Sequence, residues 1–500
     1  MRPLSIVEEQ RTTVLSDIKK MPNEIVARIF IAGTNFWREE GPSGLPFPIL
    51  ASSVCHGWRL LAQRTPELWS FIIPPLHLFN TAEDGEHWTS GWIARSGALP
   101  VSIIIDDRLR IKGNHPVQQS QAVILGVLRG IGSHGHRLRR LDIWSQHVFP
   151  TDLNPVFQNA VQLCQLSLCC GRITQTQILP NSSPQTSHLF SWFGRLPRLH
   201  KLRVAGSIFP VVSTLTTLSV HELCTQYSEV QTMFSTCPNI ATLVLPQLLP
   251  IAFPPPSHTP LIPAPSLKSM AVSFKRFPHA ESNLPYLVGI LHMPNLEYLE
   301  VDGDADMSAI FDGTLSSAKI QTLRLTRRSK VHRADQTLFR SLNDLRQLEL
   351  KDIPAEGLLS DTTAIPQVGR NRSISSLFTL SLNSSSASSP GHISCWPLLT
   401  EITLDTISPE DVMHLCRFAN LNHGVKTIHL SRHAKRHLSG SLLRNNDMIY
   451  VQDPGWKRQG SPDAGVKDVE DWLRKLVEVK VFRYSLGMID REAFPLQALC

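Results

Sequence analysis

Five hundred residues exceed what one ordinary core takes up, so the chain is expected to form two or more units or one long repeat array. With 42% hydrophobic and 18% charged residues it has the profile of a folded chain, which excludes disorder as its main state. The net charge of +7 would point to a polyanionic partner if it were spread over a face, but seven Lys/Arg against two Asp/Glu crowd between Lys426 and Arg458. That stretch contains SRHAKRHLSGSLLRNN and reads as a solvated basic loop over about 431–460. The nine cysteines are odd in number and irregular in spacing, which fits reduced thiols. Cys164, Cys169 and Cys170 cluster without a CxxC pair or a histidine at zinc-ligand spacing, so no metal is expected. The charged start, MRPLSIVEEQRTTVLSDIKK, does not suit an export signal, and no apolar run reaches the ~18 residues of a membrane span. An intracellular place, cytoplasmic and/or nuclear, is expected.

After an N-terminal segment over 1–15, the first element is a helix opening at MPNEIVARIF, because Pro22 suits a first turn whose N–H groups have no helical partner. Ile25 with Ile29, and Val26 with Phe30, are two i,i+4 pairs that make this helix apolar over much of its circumference. Further on, Leu50, Val54, Trp58 and Leu61 recur at steps of four, four and three, the spacing of one helix face. Short helices of this kind carry more apolar surface than roughly 55 residues can bury among themselves. A partner protein is expected to take the surplus.

These residues carry a resemblance. Asp17-Ile18, Met21-Pro22-x-Glu24-Ile25, Ile29-Phe30, Ser53-Val54-Cys55, Trp58-Arg59, Ala62 and Thr65-Pro66-Glu67-Leu68-Trp69 resemble the F-box in the form common among the large fungal F-box families. WIARSGALPVSIIID, Trp92 to Asp106, is similar to the W-x-x-RSG-x-x-P segment located after the F-box there. The chain departs from the pattern at Met21, where leucine is usual, at Gly57 within the third helix, and in a longer link from Asn35 to Pro46. The resemblance implies an F-box over 16–75 that binds a Skp adaptor and through it a cullin. Its contacts would be Met21, Pro22, Ile25, Ile29, Phe30, Val54, Cys55, Trp58 and Leu61. Trp69 is expected to pack this unit onto the first repeat, and residues 76–137 to form a connecting region in which the solenoid starts.

From 138 to 500 the pattern L-x-x-L-x-L recurs, with Ile, Val or Met as substitutes. It begins at Leu138, Leu163, Leu199, Ile240, Leu267, Leu296, Ile320, Leu345, Leu377, Leu399 and Val425. From Ile240 onward the intervals run from 22 to 32 residues, near the period of about 20–29 of leucine-rich repeats. LTTLSV at Leu215 fits the pattern but comes only 16 residues after Leu199, so its place is left open. The alternation suits short strands with one buried face, and the fold class is α/β: a short helical F-box followed by an irregular leucine-rich-repeat solenoid with a parallel sheet. A proline two residues ahead of several repeats, in LPRL, CPNI, APSL and MPNL, is expected to end the preceding helix or turn. Loops are expected at 246–265 and 382–392, and VKDVEDWLRKLVEVKVFR reads as a helix running into a last strand.

Strand alternation turns Arg140, Asp142, Lys201, Arg203, Tyr298, Glu300, Arg324, Glu349, Glu401 and His429 away from the core, which makes them the candidate substrate-binding residues. Their mixed charges suit a protein substrate of unknown identity better than nucleic acid, which asks for a mainly basic surface with stacking aromatics. The one phosphate-type motif, Gly130-x-Gly132-x-x-Gly135, comes after a helical pattern and precedes a strand, the reverse of a dinucleotide site. No nucleophile elbow, HExxH or P-loop is present, so no catalytic residue and no cofactor is assigned. The resemblance therefore implies the substrate-recognition adaptor of a Skp-cullin-F-box ubiquitin ligase. The alternative is a leucine-rich-repeat scaffold acting outside such a ligase.

Overall fold

The computed structural model describes residues 20–40, 45–107, 117–145, 153–170, 193–205, 212–221, 227–246, 261–274, 287–303, 318–327, 338, 342–353, 396–406, 415, 424–431, 434, 441–444, 447–450, 466–468 and 477–481. Two compact units result, one from Met1–Pro246 with Asp490–Cys500 and one from Gln247–Ile489. Both are built on parallel sheet, fourteen strands in all, seven to each unit.

The first unit opens with helices. In α1 (Asn23–Glu40), the Pro22 carbonyl accepts the N–H groups of Ile25 and Val26, so the proline precedes the first turn. The helix runs well past Asn35, where a link is expected from sequence, because Thr34 and Trp37 extend the inward series Val26–Phe30 at helical spacing. Trp37 meets Phe71 edge-on at 6.5 Å, and the Arg38 guanidinium lies 4.1 Å from the same ring. The face expected over Leu50–Leu61 is not one helix. α2 (Phe47–Val54) stops at Cys55, which is extended, and α3 (His56–Gln63) restarts behind it with the Cys55 Sγ accepting the Trp58 N–H at 3.4 Å. Sulfur is a weak acceptor, but any cap at this point separates Leu50 and Val54 from Trp58 and Leu61.

A single 3₁₀ turn, Pro66–Trp69, then leads into β1 (Phe71–Ile72), with Pro74 and Pro75 just beyond it. Trp69 is buried, donates from Nε1 to the Ala62 carbonyl at 2.8 Å, and meets Trp92 of α4 (Ala82–Arg95) at 4.9 Å. It thus ties α3 to the helix ahead of β2 (Val101–Asp106) and not to the repeat at Leu138, because α4 stands between that repeat and the first helices in the chain and brings Trp92 against the indole. A capping box starts α4: Thr81 Oγ1 accepts the Asp84 N–H, and the Asp84 carboxylate accepts those of Asn80 and Thr81. The two backbone N–H groups hold the Asp84 carboxyl below its usual range.

Against α4 packs α5 (Val117–Gly132) at a distance that only glycine permits, since a Cβ on Gly126 would stand 1.9 Å from the Ala82 carbonyl oxygen. Gly130 serves the same contact, with the Glu86 carbonyl 3.0 Å from where its Cβ would be. Gly130 of the phosphate-type motif therefore serves helix packing, and α5 precedes β3 (Leu138–Ser145) as read from sequence.

Strands β1 to β7 pair in chain order, with β4 at Gln165–Cys170, β5 at Lys201–Ala205, β6 at Thr217–His221 and, after α6 (Tyr227–Thr236), β7 at Thr242–Leu245. The sheet thus starts at Phe71, well before residue 138, because Val101, Ile103 and Ile105 bury one face of β2 without the leading leucine of the repeat. The pattern at Leu215 is a full strand, β6, paired with β5 and β7.

The second unit holds β8 (Ser269–Ser273), β9 (Tyr298–Asp302), β10 (Thr322–Thr326), β11 (Gln347–Lys351), β12 (Glu401–Leu404), β13 (Thr427–Leu430) and β14 (Glu478–Val481), again paired in order. The pattern at Leu377 and the loop at 382–392 lie outside the described residues, and β11 pairs directly with β12. Two expected loops contain strands. Ile262–Pro263 pairs with Leu291–His292, and Ser441–Arg444 forms an antiparallel sheet with Asp447–Tyr450 and Val466–Asp468. VKDVEDWLRKLVEVKVFR thus begins as strand and ends in β14, while the residues expected to be helical between them lie outside the described ones.

One turn recurs ahead of the strands. The N–H of Leu199, Leu215, Ile240, Leu267, Leu296, Leu345 and Leu399 each bonds to the carbonyl three residues back, and in five of these the second turn residue is proline. Pro197, Pro238, Pro265, Pro294 and Pro397 supply the fixed φ that this position needs, so they start the turn, and Pro238 does so just past the end of α6, as expected from sequence. The turn delivers the first repeat leucine into the core, and the register stacks Met270, Leu299, Leu323, Leu348, Ile402 and Ile428 in one buried row.

The two kinds of glycine separate in an unfolding experiment. Gly126→Ala, pressed on backbone, is expected to cost about 1–3 kcal/mol or more. Gly57→Ala, whose Cβ would meet nothing within 4 Å, is expected to add about 0.5–1 kcal/mol. Urea titration monitored by circular dichroism checks both.

Candidate protein-binding surfaces

The helices of the first unit leave an apolar surface open. Eight of the twelve large exposed hydrophobic side chains among the described residues lie within 21–60, so this segment holds the main such patch. On α1 the inward stripe of Val26, Phe30, Thr34 and Trp37 is matched by an outward one of Ile25, Ile29 and Phe36, the last 62% exposed. A helix with apolar residues on two faces has more than its own neighbours cover. Leu50 and Val54 of α2 and Leu60 of α3 are exposed as well.

Of the residues expected to contact an adaptor, Met21, Pro22, Ile25, Ile29, Val54 and Cys55 are exposed, and Trp58 and Leu61 half-buried. Phe30 departs from the expectation. It is 1% exposed, and its ring meets the Trp58 ring edge-on at 4.9 Å, so it holds α1 against α3 and offers no surface. Phe36, Leu50 and Leu60 were not singled out as contacts; Phe36 lies seven residues after Ile29, two turns along the same face.

The sheet face opposite the leucines bears the residues expected to bind substrate. Alternation places them there, but Asp142, Arg203, Glu300 and Arg324 are buried, against the expectation of solvent exposure. In-register neighbours on parallel strands stand ~4.8 Å apart, so long side chains in one row cover each other and must match in charge. Arg324 Nη1 donates to Glu349 Oε2 at 2.7 Å, its Nε lies 3.8 Å from Glu300 Oε1, and Tyr298 Oη donates to Glu300 Oε2 at 3.0 Å. Burial, with the Glu300 charge beside it, pushes the Tyr298 phenol up. Next to this row Asp302 accepts from Ser273 Oγ and from Arg327 Nε, both at 2.7 Å. In the first unit Arg140 Nε donates to Asp142 Oδ2 at 2.7 Å, and the Arg203 guanidinium lies 5.4 Å from the Trp144 ring centre. Lys201, Glu349, Glu401 and His429 are half-buried; Gln347 donates to Glu401 at 3.1 Å, and His429 Nε2 stands 3.9 Å from the same carboxylate.

Among the described residues no group of three or more His, Cys, Asp or Glu is placed to hold a metal ion, and no helix is long and apolar enough to cross a membrane. Neither the models of known protein families nor the curated proteins offer a match to this chain.

The burial generates two contrasts. Phe30→Ala is expected to cost about 3–5 kcal/mol, whereas Ile29→Asp, on the open face, leaves the unfolding midpoint within about 0.5 kcal/mol of the parent. Arg324→Met strands the buried Glu300 and is expected to cost about 3–5 kcal/mol, most of it recovered when Glu300→Leu is added. Thermal and urea unfolding of the four variants decide both, and a full cost in the double variant would show that the pairing is not what Arg324 supplies.

Proposed function

We propose that the chain is the substrate-recognition adaptor of a Skp-cullin-F-box ubiquitin ligase, its first helices acting as the F-box and its parallel-sheet units presenting a protein substrate. The outward stripe of α1, Ile25, Ile29 and Phe36, is the observation that carries this reading, because it lies within the stretch that resembles an F-box and leaves uncovered what a binding partner would cover. Proline-containing turns and a stacked sheet give the rest of the chain an extended polar face, on which half-buried groups such as Glu349, Glu401 and His429 are fixed by their neighbours rather than free to rearrange. Such a chain performs no bond-making itself. It raises the effective concentration of a target beside a loaded ubiquitin-conjugating enzyme.

Each aliphatic side chain buried at an interface is worth about 1.5–3 kcal/mol, so Ile25→Asp with Ile29→Asp is expected to weaken Skp-adaptor binding by at least about 100-fold. The measurement is a titration of the full chain with the purified adaptor, parent beside variant, with unfolding curves to show that the variant is folded. Equal affinity of the two would remove α1 from the interface. No binding by the parent would sink the ligase reading and leave a binding scaffold.

A further inference from the structure

We propose that the first unit carries an oxyanion-binding cleft that takes a phosphate group, free or as a monoester, at the start of strands β2 to β5. The cleft has a volume of about 480 Å³, within the range of about 300–1,000 Å³ typical of small-molecule sites. His136, Arg137, Arg139, Gln162, Cys164 and Arg198 line it, and Ala98 and Pro100 complete the wall. No aspartate or glutamate is among the lining residues.

Among the described residues none of the three cleft arginines is paired with a carboxylate. Elsewhere in the same unit Arg129 pairs with Glu86 and Arg140 with Asp142. In the cleft, Arg137 donates to neutral acceptors alone: the Leu99 carbonyl at 2.7 and 3.0 Å, the Ile93 carbonyl at 3.4 Å and Ser96 Oγ at 2.5 Å. Arg198 donates to the Gln162 side-chain oxygen, which orients it without neutralising it. The Arg139 side chain has no partner among the described residues, while its backbone carbonyl, accepting from Cys164, is fixed in the sheet. Three guanidinium charges thus stand around one concavity with no carboxylate among the described lining residues to balance them, and low-dielectric walls concentrate their field. Burial pushes the Arg137 guanidinium down from its ordinary pKa. A bound anion would offset it. Arg139 and Arg198 offer forked donors, while Arg137, with four of its N–H groups engaged by the protein, adds mainly charge; together they suit a dianion with three or more acceptor oxygens better than a single carboxylate. This inference is independent of the ligase reading and can hold or fail without it.

The test titrates the full chain with inorganic phosphate by calorimetry against sodium chloride of equal ionic strength, beside the variant Arg139→Gln/Arg198→Gln. Both arginines are exposed, so the variant keeps the parent's melting temperature, and Arg137, which holds the end of α4, is left intact. Saturable heat in the parent, lost in the variant, is expected. A local readout is alkylation of Cys164 by iodoacetamide, resolved by peptide mass spectrometry with the exposed Cys55 as internal reference. Phosphate should slow Cys164 several-fold and Cys55 not at all, and the variant should lose that protection. A phosphoserine peptide that protects at lower concentration than phosphate, its unphosphorylated form inert, identifies an ester as the ligand; equal or better protection by inorganic phosphate identifies the free anion. No heat beyond the chloride control, or protection that survives in the variant, overturns the proposal.

Discussion

A repeat strand in either unit cannot bury its leucines alone; it depends on parallel neighbours held in register. That constraint orders the rest. The leucine rows align only if every strand begins at the same height, and the turn closed by the N–H of the first repeat leucine sets that height. Proline in the second turn position lowers the conformational entropy lost in forming the turn, and the connection between strands is then free to vary in length without disturbing the row. Stability becomes a sum of neighbour terms.

The same register acts on the polar face, where it offers no choice of company. A glutamate at the outward position of β9 must face whatever β10 carries there, and β10 carries Arg324. The charges on this face are therefore partly structural, which narrows the surface open to a ligand to the half-buried groups flanking the ion pairs. The helical segment obeys the opposite logic. α1 turns one apolar stripe onto α3 and the sheet and leaves the other outward, a distribution that a self-sufficient unit would not need.

Much of this was legible in the chain. Leu348 and Leu350, alternating with Gln347 and Glu349, announce a strand by local pattern alone, and β6 shows that the pattern outweighs irregular spacing. Thr81-x-x-Asp84 is a capping box that could have been read directly. The break at Cys55 could not, because the apolar steps across it keep helical spacing and a cysteine is a poor advertisement for a cap. The burial of Phe30 rather than Ile29 was equally hidden: both lie on apolar faces of α1, and which face meets Trp58 is decided by tertiary packing. Alternation fixed the side on which Glu300 sits but not its exposure, which depends on which repeats become neighbours. The cationic cleft has no local signature in the sequence, because its residues come from four separate stretches of the chain.

The first strand of the series is only two residues long, and two prolines stand just beyond it. An ordinary sheet edge presents a row of idle donors and acceptors that can recruit a strand from another molecule. Here the row is interrupted almost as soon as it begins, and Trp37 and Arg38 of α1 pack over the Phe71 ring. The segment that joins helices to sheet is thereby a stopper against end-to-end polymerisation, and loosening it would expose the longer β2 as a template for aggregation.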